Sequence, residues 1–315
     1  MSSNTANTIQ IASVNISTET GTIKKPVDKI ELDSRGIVGD AHAGAWHRQI
    51  SLLGTDSVQR FEEVVGRNIN PGEFAENLLL RGIDLRQVAI LDRLKVGDVE
   101  LEVTQIGKKC HGDSCAIYRE VGKCVMPKEG IFCRVLAGGT VKPDDAVQYL
   151  PRTLSFRVIT LSDRAYKGEY EDRSGPRVRE LLASFLSGTR WHPTIEETIL
   201  PDEPDRLKQE LAQAQADGVD IVFTTGGTGI GPRDMTPDVV AEFCDKLIPG
   251  IMESIRLKFG SEKPNALLSR SVAGVAGTML VYTLPGSVRA VEEYVGEILK
   301  TLEHSLFMIH GLDNH

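Results

Sequence analysis

The sequence is poor in what membrane, secreted and nucleic-acid-binding proteins need. No apolar run reaches the roughly 18 residues of a bilayer span. Residues 1–10 are polar, with neither a basic n-region nor an apolar h-region, so a cytoplasmic protein is expected. Positive charge is in deficit. The formal net charge is -8, with 18 basic and 20 acidic side chains in residues 1–150 and 18 and 24 in residues 151–315. Neither half offers the basic face that nucleic acid requires. The cysteine count is five, and an odd count without a secretion signal argues against a disulfide framework. No Cys-x-x-Cys knuckle is present: Cys110, Cys115, Cys124 and Cys133 are spaced five, nine and nine apart, which ranks structural zinc low.

What is present describes an ordinary globular chain. Its 315 residues favour about two domains of ~100–200 residues. The first, residues 1–150, holds many short β-type segments: Ile9–Thr18, Ile30–Leu32, Ile50–Leu53, Val88–Ile90, Val99–Val103 and Ile131–Val135. One helix stands among them, Asp56–Val65, with Thr55 as the expected N-cap. This pattern predicts a mainly β domain, a barrel. Gly138–Arg152, with its glycines, prolines and acids, reads as the domain boundary.

The second domain, residues 151–315, alternates strand and helix. Strands are expected at Phe156–Leu161, Thr194–Leu200, Val219–Phe223 and Met279–Leu284. Helices are expected at Ser174–Leu186 with Ser174 as N-cap, at Pro204–Ala216, at Val239–Cys244, around Gly250–Phe259 and at Val288–Ile309. Such alternation implies an α/β three-layer unit with a mostly parallel sheet.

Between the third of these strands and the following helix lies Thr224-Thr-Gly-Gly-Thr-Gly-Ile-Gly-Pro-Arg-Asp-Met-Thr-Pro-Asp238. A Gly-rich loop at the carboxyl end of a parallel strand sits where open α/β sheets bind ligands. Gly226, Gly227 and Gly229 let backbone N–H groups approach an anion, Thr225 and Thr228 add hydroxyls, and Asp234 adds a carboxylate suited to magnesium. It is no P-loop, because no Lys-Ser or Lys-Thr follows the glycines, and no dinucleotide fingerprint, because Pro232 stands at the third glycine position.

The whole string resembles the signature of the molybdopterin adenylyltransferases, the MogA and gephyrin G-domain family. Further segments resemble the same family: Ser162-Asp163-Arg164, Asp172-Arg-Ser-Gly-Pro176, Pro201-Asp202-Glu203, Pro249-Gly250 with Glu253 and Arg256, Ser269-Arg270-Ser271, and Leu284-Pro285-Gly286. The resemblance implies that molybdopterin and ATP are the substrates and Mg2+ the cofactor, with Asp234 and Asp202 handling the metal and catalysis. It also implies that Ser162, Asp163, Ser174, Gly175, Thr225, Gly226, Gly227, Thr228, Gly229, Glu253, Ser269, Arg270, Pro285 and Gly286 bind substrate or nucleotide. The N-terminus of the helix at Ser174 would attract a phosphate. The family implies a homotrimer, and a separate molybdate-insertion protein or molybdoenzymes as partners. The alternative is a non-catalytic carrier of molybdopterin or molybdenum cofactor.

In the first domain, Gly36-Ile-Val-Gly-Asp40 with His42 and Gly44, Arg48–Leu53, Pro71–Phe74, Glu76-Asn-Leu78 and Gly107–Tyr118 resemble the MOSC domain. That family implies binding of molybdenum cofactor, or sulfur carriage through a cysteine. Six basic residues and three acidic ones between Lys108 and Arg134 favour a thiolate or an anionic ligand there. The residues are Cys110, His111, Cys115 and Cys124. The Ala-Ile-Tyr after Cys115 favours that position, whereas Cys110 fits a register counted from Gln105. Cys133, in an apolar strand pattern, reads as core.

Overall fold

The computed structural model describes residues 8–108 and 125–312. Cys110, His111, Cys115 and Cys124 therefore lie outside the described residues. The chain divides into two compact units, one formed mainly by residues up to Arg152 and the other by Thr153–Gly311.

The strands of the first unit are β1 (Gln10–Ile16), β2 (Lys25–Val27), β3 (Ile30–Asp33), β4 (Gly36–Ile37), β5 (Ile50–Gly54), β6 (Leu78–Arg81), β7 (Arg93–Val96), β8 (Val99–Ile106), β9 (Ile131–Ala137), β10 (Gly139–Val141) and β11 (Gln148–Leu150). Eight form one sheet in the order β11-β7-β8-β9-β5-β6-β1-β2, and three form another, β10-β3-β4. The large sheet curls because Asp144–Val147, just before β11, bends onto the start of β1. Ile11 N–H donates to Asp145 O at 3.0 Å, and Val147 N–H donates to Ile9 O at 2.8 Å. This is a half-barrel and not the closed barrel expected: β11 and β2, the two ends of the strand order, do not pair, and each is only three residues long. Ile11, Val14, Leu52, Leu80, Val103 and Cys133 fill its core.

Two local expectations are corrected here. Val88–Ile90 forms no strand. Val88 and Ala89 are buried, but Ala89 N–H is taken by the Asp92 carboxylate at 2.7 Å, so the apolar run is packed without a ladder. The helix Thr55–Val65 begins one residue earlier than expected, with Gly54 at the N-cap and no side-chain cap bond. Gly138–Arg152, read as the domain boundary, ends where the two units divide, but it is folded up to that point: β10 pairs with β3 and β11 with β7.

The second unit contains β12 (Thr153–Leu161), β13 (His192–Leu200), β14 (Ile221–Thr225), β15 (Lys246–Leu247), β16 (Ala273–Ala276) and β17 (Met279–Leu284), in the sheet order β13-β12-β14-β17-β16-β15. The first four are parallel, and β16 runs antiparallel between β17 and β15, making the sheet mixed. The period of two in the sequence sorts side chains onto two apolar layers. Phe156, Phe223 and Tyr282 pack against the helices Ser174–Leu186 and Val288–Ile309, which bury Val178 and Val295 there. Ile159, Val222 and Val281 pack on the opposite face against Pro204–Ala216 and Thr236–Phe243, which bury Leu211 and Val240. Burial on both faces is why these strands read as continuous apolar runs. No helix among the described residues is long and apolar enough to cross a membrane.

A fragment ending at residue 152 keeps β10 and β11, whereas one ending at 137 exposes the edges they cover. The longer fragment is expected to melt cooperatively and the shorter one to melt lower or aggregate. Equal melting curves would contradict the strand assignment.

Candidate active site at the carboxyl edge of the sheet of the second unit

The carboxyl ends of β12, β14 and β17 meet under the Gly-rich loop. Gly226 N–H donates to Leu284 O at 3.0 Å, which ties the first residue of the loop to the end of β17. Gly226 has φ +97, and a Cβ there would lie 2.3 Å from Leu161 O at the end of β12. Gly227 has φ +63, and a Cβ would meet the Thr236 hydroxyl at 2.5 Å. Only glycine permits this return of the chain. The loop is closed at its far end by Thr236 N–H donating to Gly227 O at 3.1 Å.

Arg270 clamps the loop from outside. Its backbone N–H donates to Thr228 O at 2.8 Å, Nε donates to Gly229 O at 2.8 Å, one terminal nitrogen to Asp234 O at 2.5 Å and the other to Asp238 Oδ1 at 2.8 Å. The Asp238 bond and charge hold the guanidinium above its ordinary pKa. Arg270, expected to contact ligand, gives its guanidinium bonds to the loop and the helix that follows it. Ser269, beside it, hydrogen-bonds Ser271 at 3.0 Å between hydroxyls.

Three carboxylates approach from three connections. Asp234 Oδ2 accepts Gly231 N–H at 2.7 Å, so it braces its own turn. Asp163 and Asp202 exchange bonds: Asp163 N–H donates to Asp202 Oδ2 and Asp202 N–H to Asp163 Oδ1, both at 3.1 Å. Asp163 also pairs with Arg233 of the loop. The amide bond from Asp202, with help from Arg233, holds the Asp163 carboxyl below its ordinary range. Pro285 and Gly286 follow β17 beside the loop, where a Cβ on Gly286 would stand 3.3 Å from Gly226 Cα. Glu253 is exposed on the helix Pro249–Gly260, and no hydrogen bond joins it to the loop among the described residues.

Beneath the loop lies a set of hydroxyls organised by a residue that sequence reasoning placed in a motif but not in the site. Asp172 accepts Thr160 Oγ–H at 2.6 Å, Ser174 Oγ–H at 2.8 Å, Ser174 N–H at 2.9 Å and Gly175 N–H at 3.3 Å. Ser174 Oγ in turn lies 2.8 Å from the Thr225 hydroxyl. Two expectations change. Ser174 is the first helical residue and not the N-cap, and Asp172 does the capping. The N–H groups at this helix start are already satisfied by a carboxylate, so they offer no seat for phosphate. Ser174 and Thr225 are buried and support the loop from below. Ser162 likewise caps the short helix Asp163–Tyr166, accepting Ala165 N–H at 3.2 Å. The signal for Asp172 was its position two residues before the helix start.

The first unit has its own polar centre. Lys24 is 1% exposed and donates to Asp40 Oδ2 at 2.5 Å. Asp40 also accepts Asn77 Nδ2–H at 3.0 Å and His42 N–H at 2.9 Å, with His42 Nδ1 3.4 Å away. Burial lowers the Lys24 pKa despite its partner. Burial opposes ionisation of Asp40 too, but the bonds from His42 and Lys24 outweigh it and hold the carboxyl far below its ordinary range. Glu76, 1% exposed, is pushed up to about 7 by burial. Lys24 gave no signal in the sequence, because the first of two adjacent lysines before a short strand reads as surface.

Comparison with known proteins now decides the family. Residues 157–304 match the family described as "Probable molybdopterin binding domain", and residues 39–148 match the MOSC domain. A protein named "Molybdopterin adenylyltransferase" from Helicobacter pylori is 33% identical over 162 residues, covering 51% of this chain and 90% of its own. The chain belongs to the molybdopterin-binding domain family. A "Molybdenum cofactor biosynthesis bifunctional protein" from Synechococcus elongatus is 38% identical over 157 residues, 50% of this chain and 48% of its own. The Drosophila melanogaster protein "Molybdenum cofactor synthesis protein cinnamon" is 34% identical over 158 residues, 50% of this chain and 26% of its own. The chain thus spans half or less of these two longer relatives. The matches support a role in molybdenum cofactor biosynthesis.

Within the molybdopterin-binding domain, the Gly226 geometry is directly testable. Gly226→Ala meets both a left-handed φ and the Leu161 carbonyl. It is expected to cost at least about 2 kcal/mol, read as a lower melting temperature. A variant as stable as the natural protein would refute the packing.

Within the MOSC domain, Glu76 sets a pH dependence. Its folded pKa of about 7 stands above the ordinary 4.5. Below pH 4.5 both states are protonated, whereas between 4.5 and about 7 the unfolded chain ionises and the folded one does not. Stability is therefore lost as pH rises through that window, by about 3 kcal/mol. Glu76→Gln is expected to flatten the slope in denaturant titrations between those pH values, and a slope unchanged in the variant would contradict the assignment.

Proposed function

We propose that the second unit adenylylates molybdopterin. An oxygen of the molybdopterin phosphate attacks the α-phosphorus of ATP, the bond to the β-phosphate bridging oxygen breaks, and pyrophosphate leaves. The reading is carried by one observation: a glycine-only loop, returned onto the sheet by the Gly226–Leu284 bond, with Asp163, Asp202 and Asp234 brought to the same edge from three connections. The name of the Helicobacter relative supports the same activity.

In this reading the chain's contribution is positioning and charge. The N–H groups around Gly227–Gly229 approach phosphate or pterin oxygens. Among the described residues no three His, Cys, Asp or Glu side chains cluster as a metal site. Magnesium bound largely through substrate phosphates suits that donor set, with Asp234 and Asp202 each supplying a carboxylate. When bound, the ion would neutralise charge on the phosphates. Asp172 keeps the floor rigid, and Arg270 holds the loop in the shape that receives the substrate.

The MOSC domain is assigned binding of molybdenum cofactor or carriage of sulfur through a cysteine. The Lys24–Asp40–His42 centre supports an anionic ligand near His42, the exposed member. Tandem order would raise the effective concentration of pterin between the two sites. A homotrimer, and a separate molybdate-insertion protein or molybdoenzymes as partners, belong to the same proposal.

The test is pyrophosphate release from Mg-ATP with and without molybdopterin. Release is expected to require molybdopterin and to fall at least about 100-fold in Asp234→Asn. Release indifferent to molybdopterin points to another nucleotide enzyme. Tight molybdopterin binding without release supports the non-catalytic carrier.

A further inference from the structure

Two arginines frame the Gly-rich loop, and their situations differ. Arg270 is committed: three carbonyl or carboxylate groups of the loop and the following helix hold its guanidinium. Arg233 rises from the loop itself, its side chain is 66% exposed, and it reaches over to Asp163 at the end of β12. Asp163 is divided between two partners. Its Oδ1 accepts the Asp202 amide at 3.1 Å, and its Oδ2 takes the Arg233 guanidinium.

An ion pair this exposed is weak in water and screened by salt. A guanidinium fork fits two phosphate oxygens as well as it fits a carboxylate, and a polyphosphate brings more charge. The pair is thus exchangeable, and Arg233 belongs to the loop to which the proposed reading assigns the phosphates. The neighbouring Asp202 amide bond keeps Asp163 in place after Arg233 leaves, so the exchange does not undo the end of the strand.

We propose that Arg233 is a polyphosphate-binding residue of this site, parked on Asp163 until the polyphosphate of the nucleotide takes its guanidinium. The inference rests on the nucleotide reading of the loop and deepens it by naming the group that engages the phosphates. It makes Asp163 a competitor of the ligand, not a contact to it. The sign of its effect is therefore opposite to that of a residue holding substrate or merely bracing the loop.

The experiment is calorimetric titration of the full chain with inorganic tripolyphosphate in magnesium-free buffer. The dissociation constant is expected to fall about three- to tenfold in Asp163→Asn, which frees Arg233 and removes a repelling charge. It is expected to rise at least about tenfold in Arg233→Met and by less in Arg233→Lys, which keeps the charge but loses the fork. Adding Asp163→Asn to Arg233→Met should then recover little. Weaker or unchanged binding in Asp163→Asn, natural affinity in Arg233→Met, or no tripolyphosphate binding by any form would overturn the proposal. The two readings fail separately. If this pattern holds while ATP gives no molybdopterin-dependent pyrophosphate, the adenylylation reading falls alone. If release is intact but the pattern is absent, the Arg233 assignment falls alone.

Discussion

The hydrogen bond from Gly226 N–H to Leu284 O decides where the rest of the candidate site can stand. It draws the chain back over the ends of β12 and β17, so closely that a side chain at Gly226 would strike the Leu161 carbonyl. Once the loop is held there, Thr236, Asp234 and Arg270 each complete it from a different side. The glycines are thus needed first for packing. In the proposed reading the N–H groups of the same loop then serve an anion.

The two units treat buried polarity differently. In the molybdopterin-binding domain β12, β14 and β17 are apolar on both faces but for Arg157, which pairs with Glu196, Glu210 and Asp217, and at the carboxyl edge Asp172 satisfies the hydroxyls below the loop. In the first unit a buried lysine, carboxylate and amide, Lys24, Asp40 and Asn77, satisfy one another, and the buried Glu76 carboxyl accepts Gly72 N–H. Such a network is stable only while complete, because losing one partner strands a charge in a poorly solvated interior. The pH dependence expected of the first unit comes from Glu76, whose burial pushes its carboxyl up to about 7.

Much of the second unit was legible from the sequence. Pro204–Ala216, Val288–Ile309 and Met279–Leu284 have the expected boundaries, since proline starts and strong apolar periodicity leave little freedom. The position of the Gly-rich loop after β14 was legible for the same reason. What was not legible depends on partners distant in sequence. Ser174 reads as an ideal cap, yet Asp172 holds that role because Thr160 also needs its carboxylate. Gly138–Arg152 has the composition of a linker but is bound by strand pairing to residues more than fifty positions earlier. The three acceptors that hold the Arg270 guanidinium, Gly229 O, Asp234 O and Asp238 Oδ1, were likewise not legible.

The central claim is that the loop from Gly226 to Asp234 receives the reacting phosphates. Its most direct test is a crystal structure of the full chain with molybdopterin and a nonhydrolysable ATP analogue. The account predicts phosphate oxygens against the amides of Gly227–Gly229, with Asp202 and Asp234 beside them and Arg233 moved off Asp163. Nucleotide bound elsewhere, with this loop unengaged and Arg233 still on Asp163, would contradict it.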